Sequence, residues 1–494
     1  MSAANAEAVR WLARLGCLSG LLFALLIAGA SAADVERMRV DGRATGYTDQ
    51  FLTAGSLAMI RSSPPADVAR LPEATNHHPV GVLTQLTRLR QQGQLKPTVY
   101  RKYVASFNAA LAEVKMLPPA RADELEAVVA NIRSITGAGL LTGSRLPALF
   151  LTLDRNRKWW WRGPLLSYGQ RVEFAGSQLV WEFYPGQGIE LQVLGSFGKA
   201  QWMCAAGGRY AQRCRSILAE LIPLAARRAG GLTWEYYFKF DGGVPPWTSA
   251  MSQGTALQAL ADAYRSLGDP AYLNVGESAL AVFGRPPPVG VAVKAQHGTR
   301  YLQYSFAPAR SQNVINGFLQ SLIGLDDYAQ MSHSRTANRL FAAGNTEAQA
   351  ELPGFDTGAW SLYQPGEEDS LSYHVLVTGF LQQLCAMTRT PTYCSTAARF
   401  ARDLKTPPAL QIRTSRVAVN KSALIRFSVS KVSRVGITLQ QGRQTVFSTS
   451  ASFARGQHVF SVPPLRDRGT DVVKLDATDL AGNYAEVSHV LRVG

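Results

Sequence analysis

The middle of the chain repeats a pattern of paired helices, and this pattern limits the fold more than any other feature. Three apolar helical segments begin at Ala256, Gly317 and Gly379, and each precedes a polar turn and a second helix rich in small residues. The repeat is about 60 residues long, and a helix pair of this kind buries its apolar face only by stacking on the next pair. With so few pairs, the pattern favours an incomplete, closed (α/α) toroid over an open solenoid.

The sequence predicts other structures on either side of these helix pairs. Residues 33–143 have apolar residues at helical spacing, whereas residues 144–198 contain β-rich runs separated by turn signals. Pro407 and Pro408 mark a boundary, after which short alternating strands resemble the immunoglobulin-like modules of bacterial exported enzymes. We therefore predict a multidomain α+β protein with a helical region (33–143), a small antiparallel β domain (144–198), a toroid (199–405) and a C-terminal β-sandwich (409–494).

The first 32 residues have the pattern of a signal peptide. Arg10 and Arg14 precede an apolar run over residues 15–28, and Ala30 and Ala32 stand at the spacing that a signal peptidase reads. The apolar run has about 14 residues, fewer than the roughly 20 that a membrane span needs. We therefore predict an exported protein, secreted or in the cell envelope. An uncleaved leader that acts as an N-terminal membrane anchor is the alternative.

Four cysteines follow the leader, in two pairs that are close in sequence. In an exported protein this arrangement favours two short-loop disulfides, Cys204 with Cys214 and Cys385 with Cys394. The spacing lacks the C-x-x-C pairs and nearby histidines of a zinc site. We predict no metal site.

The chain carries 51 Lys and Arg residues against 35 Asp and Glu residues, a net charge of +16. Such a charge attracts anionic partners, and export favours an acidic polysaccharide over nucleic acid. A general preference for arginine is the alternative cause of the charge. Residues 155–162 place four cations beside three tryptophans, so Arg155 and Arg157 are candidate ligands of acidic sugars. The alternative is an edge strand that packs its tryptophans against the helical domain.

Residues 237–254 combine a turn, a proline pair and a helix start. Asp241 begins a turn with two glycines, Pro245 and Pro246 exclude a helix, and Thr248 or Ser249 can cap the helix that follows. Loops of this kind, at the mouth of a helix, often carry functional residues.

This loop and three later motifs resemble the C-terminal catalytic region of the D-glucuronyl C5-epimerases. The motifs lie within residues 234–403 and are Asn316-Gly-Phe-Leu-Gln-Ser-Leu-Ile-Gly-Leu, Leu352-Pro-Gly-Phe-Asp-Thr-Gly-Ala-Trp-Ser-Leu-Tyr363 and Tyr373-His374. Enzymes of that family invert C5 of glucuronic acid units in a glycosaminoglycan chain to give iduronic acid. The resemblance implies a toroid catalytic domain, an acidic polysaccharide substrate and a homodimer.

Inversion at C5 requires two acid/base groups on opposite faces of the sugar, because one proton leaves and another is added to the opposite face. Donors must also hold the carboxylate and stabilise the charge that develops on it. Tyrosine can serve if its surroundings lower its pKa from about 10 toward the working pH. This chemistry needs neither metal nor nicotinamide, so we predict a cofactor-independent isomerase.

The resemblance assigns the acid/base roles to tyrosines. Tyr363 matches the tyrosine of the Asp-Thr-Gly-x-x-x-x-Tyr motif and Tyr373 that of the Tyr-His motif, and these are the leading candidates. The family's third tyrosine stands ten residues before the motif asparagine, where this chain has Phe306. Tyr304 would project on the same side as Phe306 in an extended segment, which makes it the third candidate. The alternatives are two tyrosines only, His374 as the base, or a lost or altered activity.

Five further residues are candidate substrate-binding groups. Indole faces stack on sugar rings, and an asparagine stands at a predicted helix start. The alternatives are that the tryptophans are core residues, that the asparagine is only a helix cap, and that the leading tyrosines are half-buried aromatics. The candidates are Asn316, His374, Gln253, Trp247 and Trp360.

Other function classes stay open at this point. A polysaccharide lyase would share the proton abstraction at C5, and a glycoside hydrolase would need a spaced carboxylate pair, although no acidic pair stands out in the sequence. A non-catalytic protein that binds uronic-acid polysaccharides is the third alternative, because Phe306 cannot exchange a proton.

Overall fold

The computed structural model describes residues 81–306 and 313–494, together with the backbone of two short strands, Met38–Arg39 (β1) and Arg43–Ala44 (β2). The predicted signal peptide, at residues 1–32, lies outside the described residues. Within the described residues, no helix combines the length and apolar character that crossing a membrane requires. The chain divides into two compact units, residues 1–350 and residues 351–494.

Four helices open the described part of the first unit. Prolines occupy the first turns of three of them, where a backbone N–H would have no acceptor within the helix and its absence therefore breaks no hydrogen bond. Apolar residues at helical spacing, such as Leu86, Phe107, Leu125 and Leu149, are buried in this region. The helices are Val82–Gln91 (α1), Pro97–Val114 (α2), Pro119–Gly137 (α3) and Leu146–Arg162 (α4).

Helix α4 corrects the predicted boundary of the β domain at residue 144. Its buried residues Leu146, Leu149, Leu153 and Trp160 recur at intervals of three, four and seven. This is the periodicity of one helix face, so the apolar run forms a helix, and the edge strand considered for residues 155–162 is wrong. The strands begin only at Arg171.

A three-stranded antiparallel sheet follows, in the order β3-β4-β5. One face packs on α4, where the rings of Phe183 and Trp160 lie 5.6 Å apart. The Asn156 amide bonds both backbone groups of Ile189, at 2.7 and 2.8 Å, and the Glu124 carboxylate accepts from N–H groups of the hairpin turn. The strands are Arg171–Val172 (β3), Trp181–Tyr184 (β4) and Gly188–Leu191 (β5).

The remaining helices of the first unit alternate with short two-stranded sheets. The helices are Val193–Ala206 (α5), Ala211–Leu221 (α6), Ala250–Leu267 (α7), Ala271–Ala279 (α8), Ile315–Ser332 (α9) and Arg335–Glu351 (α10). The strands are Ala226–Arg228 (β6), Gly231–Thr233 (β7), Ala292–Lys294 (β8) and Thr299–Tyr301 (β9).

Helices α7 and α9 lie side by side and run in the same direction. Their backbones touch at two glycines, since a Cβ at Gly324 would come within 1.9 Å of the Gly254 carbonyl oxygen. Nearer their N-terminal ends, a Cβ at Gly317 would lie 3.6 Å from the Cβ of Met251. The two N-terminal ends are therefore neighbours.

Helix α5 joins the same end of this group. The Leu194 N–H donates to the Tyr236 hydroxyl at 3.0 Å, and that hydroxyl lies 2.7 Å from Ser252 Oγ in the first turn of α7. The N-terminal ends of α5, α7 and α9 are thus gathered together. Parallel neighbouring helices are what the repeated helix pairs lead us to expect, and the closed toroid itself stays a prediction.

The second unit begins with a hairpin and a helix pair. The hairpin strands are Leu362–Gln364 (β10) and Glu367–Glu368 (β11), and the helices are Leu371–Thr388 (α11) and Pro391–Asp403 (α12). Cys385 and Cys394 form a disulfide between α11 and α12, and Cys204 and Cys214 form one between α5 and α6. Both predicted disulfides are confirmed.

The strand-rich C-terminal region forms two sheets around one apolar core, in the orders β12-β14-β17 and β13-β19-β18-β15-β16. Alternate residues such as Ile425 and Phe427 are fully buried. This region is a β-sandwich, as predicted, and its immunoglobulin-like character stays a prediction. The strands are Leu410–Ile412 (β12), Arg416–Val417 (β13), Ala423–Val429 (β14), Ser433–Gln441 (β15), Gln444–Phe453 (β16), Gly456–Val462 (β17), Gly469–Asp479 (β18) and Tyr484–Val493 (β19).

Candidate active site

The structure brings the two leading tyrosine candidates into contact. Tyr363 lies on β10 and is half-buried, and Tyr373 is the third residue of α11 and is 8% exposed. Their ring centroids are 5.0 Å apart, with the ring planes tilted by 46°. The Ser370 hydroxyl accepts from the Tyr373 N–H at 3.3 Å and caps the helix. The two phenols therefore form one unit at the N-terminal end of α11.

A buried polar network lies directly behind this pair. His374 Nδ1 accepts from the Ser361 N–H at 3.2 Å, so the neutral imidazole carries its hydrogen on Nε2 and donates it to the Phe400 carbonyl at 3.0 Å. Burial lowers the pKa of His374 to about 4. The side chain is fully buried with both ring nitrogens engaged, so His374 is neither a substrate-binding group nor the base considered from the sequence.

The same network accounts for Trp360. Its indole stacks on the His374 ring with centroids 3.7 Å apart, and its N–H donates to the Asp369 carbonyl at 2.8 Å. Only 1% of Trp360 is exposed, so it is a core residue and offers no face to a sugar. The Ser361 hydroxyl donates to the Asp369 carboxylate, whose pKa burial raises to about 7.

The first unit holds the third tyrosine candidate in an aromatic cluster. The rings of Tyr304 and Phe306 are stacked, 5.2 Å apart and within 2° of parallel. They project on the same side, as expected for an extended segment. Both rings meet the edge of Trp247 at 5.4 Å.

Trp247 forms the centre of this cluster. It stacks on Tyr236 at 4.2 Å and on Phe240 at 5.9 Å, and its N–H donates to the Phe238 carbonyl at 2.7 Å. With 3% exposure and rings packed around it, Trp247 is a core residue, which corrects its prediction as a sugar platform.

Gln253 also has a structural role. Its side chain is fully buried, its Oε1 accepts from the Trp234 N–H at 3.3 Å, and its Nε2 donates to the Trp234 carbonyl at 2.8 Å. Both ends of the Gln253 amide are thus hydrogen-bonded to the backbone of Trp234, and the prediction that Gln253 binds substrate is not supported.

Asn316, in contrast, has a buried side-chain oxygen that the described residues do not satisfy, and its binding role stays a prediction. It is the second residue of α9, it is 3% exposed, and its Oδ1 has no hydrogen-bond partner among the described residues. Gln303, which the sequence analysis missed, has a second such oxygen and reaches so close to the helix that a Cβ on Gly317 would lie 1.7 Å from it. Buried amides without partners are rare, and these two lie where the N-terminal ends of α7 and α9 meet.

The arginines of residues 155–162 are used within the fold. Arg157 makes a bidentate ion pair with Glu113, with both N–O distances 2.7 Å. Arg155 lies over the Phe174 ring at 4.6 Å, and burial lowers its pKa. Both guanidinium groups have contacts within the fold, so the predicted binding roles of Arg155 and Arg157 are not supported.

The sequence analysis also missed a row of charges across the first sheet. Arg171, Glu182 and Glu190 are directly opposite one another on β3, β4 and β5, and both carboxylates are buried. Arg171 pairs with Glu182 at 3.4 Å, and burial raises the pKa of Glu190 well above its ordinary value. A Glu in the middle of each apolar strand of a predicted hairpin was the signal that could have revealed them.

Among the described residues, no group of three or more His, Cys, Asp or Glu side chains is placed to hold a metal ion. The acid/base candidates Tyr363 and Tyr373 belong to the second unit, whereas Tyr304 and Asn316 belong to the first.

Residues 230–402 match the sequence model of the family described as D-glucuronyl C5-epimerase C-terminus, which confirms the resemblance predicted from the motifs. Over 132 residues the chain is 32% identical to D-glucuronyl C5-epimerase of Caenorhabditis elegans, and the match covers 24% of this chain and 21% of that protein. Over 137 residues it is 29% identical to an uncharacterized protein of Methanocaldococcus jannaschii, covering 27% and 44%.

The chain thus spans less than half the length of these curated relatives. It is also similar to the solved structure of a sugar epimerase from a ruminal bacterium, with a TM-score of 0.32 and 11% identity over 43% of this chain and 60% of that one. A TM-score this low does not establish a shared fold.

Proposed function

Because residues 230–402 match the sequence model of the D-glucuronyl C5-epimerase C-terminus, we propose that this protein inverts C5 of D-glucuronic acid units in an acidic polysaccharide. The observation that carries the proposal is the contact between Tyr363 and Tyr373, with ring centroids 5.0 Å apart. Both tyrosines come from the motifs that carry the resemblance, and the fold brings them together from a hairpin and a helix.

In this proposal the phenolic oxygens exchange the proton. One phenolate removes the C5 hydrogen, the electron pair of the broken C–H bond moves into the carboxylate, and a second acid returns a proton to C5 on the opposite face. Tyr363 and Tyr373 are the leading candidates, and Tyr304 is the further one. Because the rings of Tyr363 and Tyr373 are in contact, a sugar does not fit between the rings, and the proposal requires that the hydroxyls reach C5 from beyond the ring contact. No cofactor enters the reaction, because the substrate's own carboxylate accepts the electron pair.

The carboxylate needs donors that hold it as its charge grows. Within the first unit, the side chains of Asn316 and Gln303 and the first-turn N–H groups of α9 are the candidates for binding an anionic sugar, because a helix N-terminus carries a partial positive charge. An amide can turn its NH₂ toward a carboxylate and its oxygen toward a hydroxyl, and a uronic acid offers both. The net charge of +16 supports an acidic substrate, and the two disulfides support export to an oxidising compartment.

Proton NMR in heavy water tests the proposal. Wild-type protein incubated with a glucuronic acid polymer should lose the C5 proton signal and gain iduronic acid signals without a change in chain length. Tyr363→Phe and Tyr373→Phe should each abolish the exchange. Tyr484→Phe, an exposed tyrosine of the β-sandwich, is the matched control and should exchange like wild type.

Other outcomes separate the alternatives. An unsaturated chain end would identify a lyase, a new reducing end would identify a hydrolase, and binding without exchange would identify a non-catalytic protein. Wild-type exchange in both tyrosine variants would overturn the assigned roles.

A further inference from the structure

The β-sandwich of the second unit is bonded directly to the hairpin that carries Tyr363 and to the end of α12. Lys431 makes the first connection. Its ammonium group is 2% exposed and pairs with Asp479 at 2.6 Å. It also donates to two backbone carbonyls, that of Asp403, the last residue of α12, at 2.8 Å and that of Thr406, which follows the helix, at 2.5 Å. A cation buried this deeply is stable only because each of these groups accepts from it.

Lys431 also continues the network behind the tyrosines. Its ammonium lies 5.1 Å from the Trp360 ring centroid, within the range of a cation–π interaction. Trp360 in turn stacks on His374, the residue that follows Tyr373. The sandwich therefore contacts the N-terminal end of α11 through one indole.

A carboxylate makes the second connection. Glu368 lies on β11, directly opposite Leu362, the residue before Tyr363 on β10. Its two carboxylate oxygens accept backbone N–H groups of the sandwich, from Val432 at 3.3 Å and from Arg455 at 2.7 Å. The hairpin with Tyr363 is thus fastened to two separate loops of the sandwich.

We propose that the sandwich is part of the frame of the active site, and that Glu368 and Lys431 are positioning residues that hold Tyr363 against Tyr373. The two tyrosines come from different elements, which are joined by the bonds of Ser361, just before β10, to His374 of α11. The sandwich contacts add to this link, and without them the hairpin would keep its strand pairing and the Ser361 bonds but lose its attachment at β11. This inference rests on the proposed function for its effect on turnover, and on geometry alone for its effect on the ring contact.

Glu368→Gln and Lys431→Met test the proposal, with Lys474→Met as the matched control. Lys474 is a sandwich lysine that pairs with Glu486, but both side chains are more than a third exposed. A glutamine at 368 keeps the size of the side chain, but its NH₂ meets one of the two N–H groups that the carboxylate accepted. We expect both test variants to lower kcat for C5 exchange about 10- to 100-fold, because a misplacement near 1 Å has an effect of that order. KM should stay within about twofold, since neither residue is assigned to substrate binding.

The ring contact gives a second readout that does not depend on activity. In protein with labelled tyrosines, the cross-peak between the Tyr363 and Tyr373 rings should weaken or vanish in both test variants and persist in Lys474→Met. If wild type shows no exchange but the cross-peak behaves this way, the proposed function fails and the positioning role stands. If Glu368→Gln, folded as judged by circular dichroism, keeps both the wild-type kcat and the cross-peak, the positioning role is refuted. Should Lys431→Met fail to fold, Glu368→Gln alone decides.

Discussion

Replacing Glu235 by Gln should destabilise the first unit strongly, because this carboxylate pairs with two buried arginines. Arg145 binds it through two N–H groups, at 2.7 and 2.9 Å, and Arg228 binds it at 2.6 Å. The Tyr237 hydroxyl donates a further bond at 3.1 Å. Less than a tenth of each arginine side chain is exposed, and the carboxylate is fully buried.

The magnitude follows from what the glutamine cannot do. It has one acceptor oxygen where the carboxylate had two, and its NH₂ would face arginine donors. Removing one partner of a buried ion pair costs about 3–5 kcal/mol, since the remaining charges stay buried without compensation. For a unit of this size, that corresponds to a fall in melting temperature on the order of 10 °C.

Differential scanning calorimetry of Glu235→Gln measures this shift, with Glu126→Gln as the control. Glu126 pairs with Arg133 at 2.5 Å, but both side chains are more than 40% exposed, so its loss should cost less than about 1 kcal/mol. The reasoning is refuted if the two variants melt within about 2 °C of each other, a difference of less than about 1 kcal/mol.

Three other substitutions have equally definite outcomes. Glu190→Gln should raise the melting temperature at pH 8 but not at pH 4. Burial raises the pKa of Glu190 in the folded state, so the wild type loses stability as the pH rises above the pKa of Glu190 in the unfolded state. Equal melting temperatures of variant and wild type at pH 8 would contradict this. Gly324→Ala should destabilise by about 1–3 kcal/mol, since its Cβ would meet the Gly254 backbone; Gly354→Ala, where nothing lies within 4 Å, is its control, and equal denaturation midpoints would count against it. Replacing both Cys385 and Cys394 by Ser should lower the free energy of unfolding by about 2–3 kcal/mol, because the disulfide closes a short loop. Thermal unfolding without reductant measures the loss, and an unchanged transition would show that the disulfide does not form.

The features that the sequence predicted correctly depend on residues close together in the chain. The disulfides Cys204–Cys214 and Cys385–Cys394 close loops of ten and nine residues, and the hairpin of β4 and β5 turns within three residues. Contacts between residues so close in sequence can be predicted without knowing the tertiary structure. The ring contact between Tyr363 and Tyr373 was not predicted, although the two residues are only ten positions apart, and their catalytic roles stay predictions.

The errors arose where partners come from distant elements. Trp247 and Trp360 were predicted to be sugar platforms, yet the Tyr236 ring covers Trp247 and the His374 imidazole covers Trp360, and only the tertiary structure brings these rings together. Arg157 looked available until Glu113, 44 residues earlier, was found beside it. Helix α4 was misassigned because the β-rich runs that follow it were extended back to residue 144 across a segment whose own periodicity is helical.

Several arginines are already held in ion pairs, and this limits which groups can stabilise the negative charge on the substrate carboxylate in the proposed reaction. Arg145, Arg157 and Arg228 are all held in ion pairs within the fold, whereas the candidate ligand group Asn316 lies in the first turn of α9. First-turn N–H groups and amides stabilise an anion through fixed dipoles, and salt screens these dipoles little when they are buried. The attraction between a polyanion and the net charge of +16, in contrast, acts over a long range and is screened by salt. Added salt should therefore raise KM for a uronic acid polymer and leave kcat nearly unchanged. A parallel fall in kcat would mean that mobile surface cations, and not helix ends, hold the reacting carboxylate.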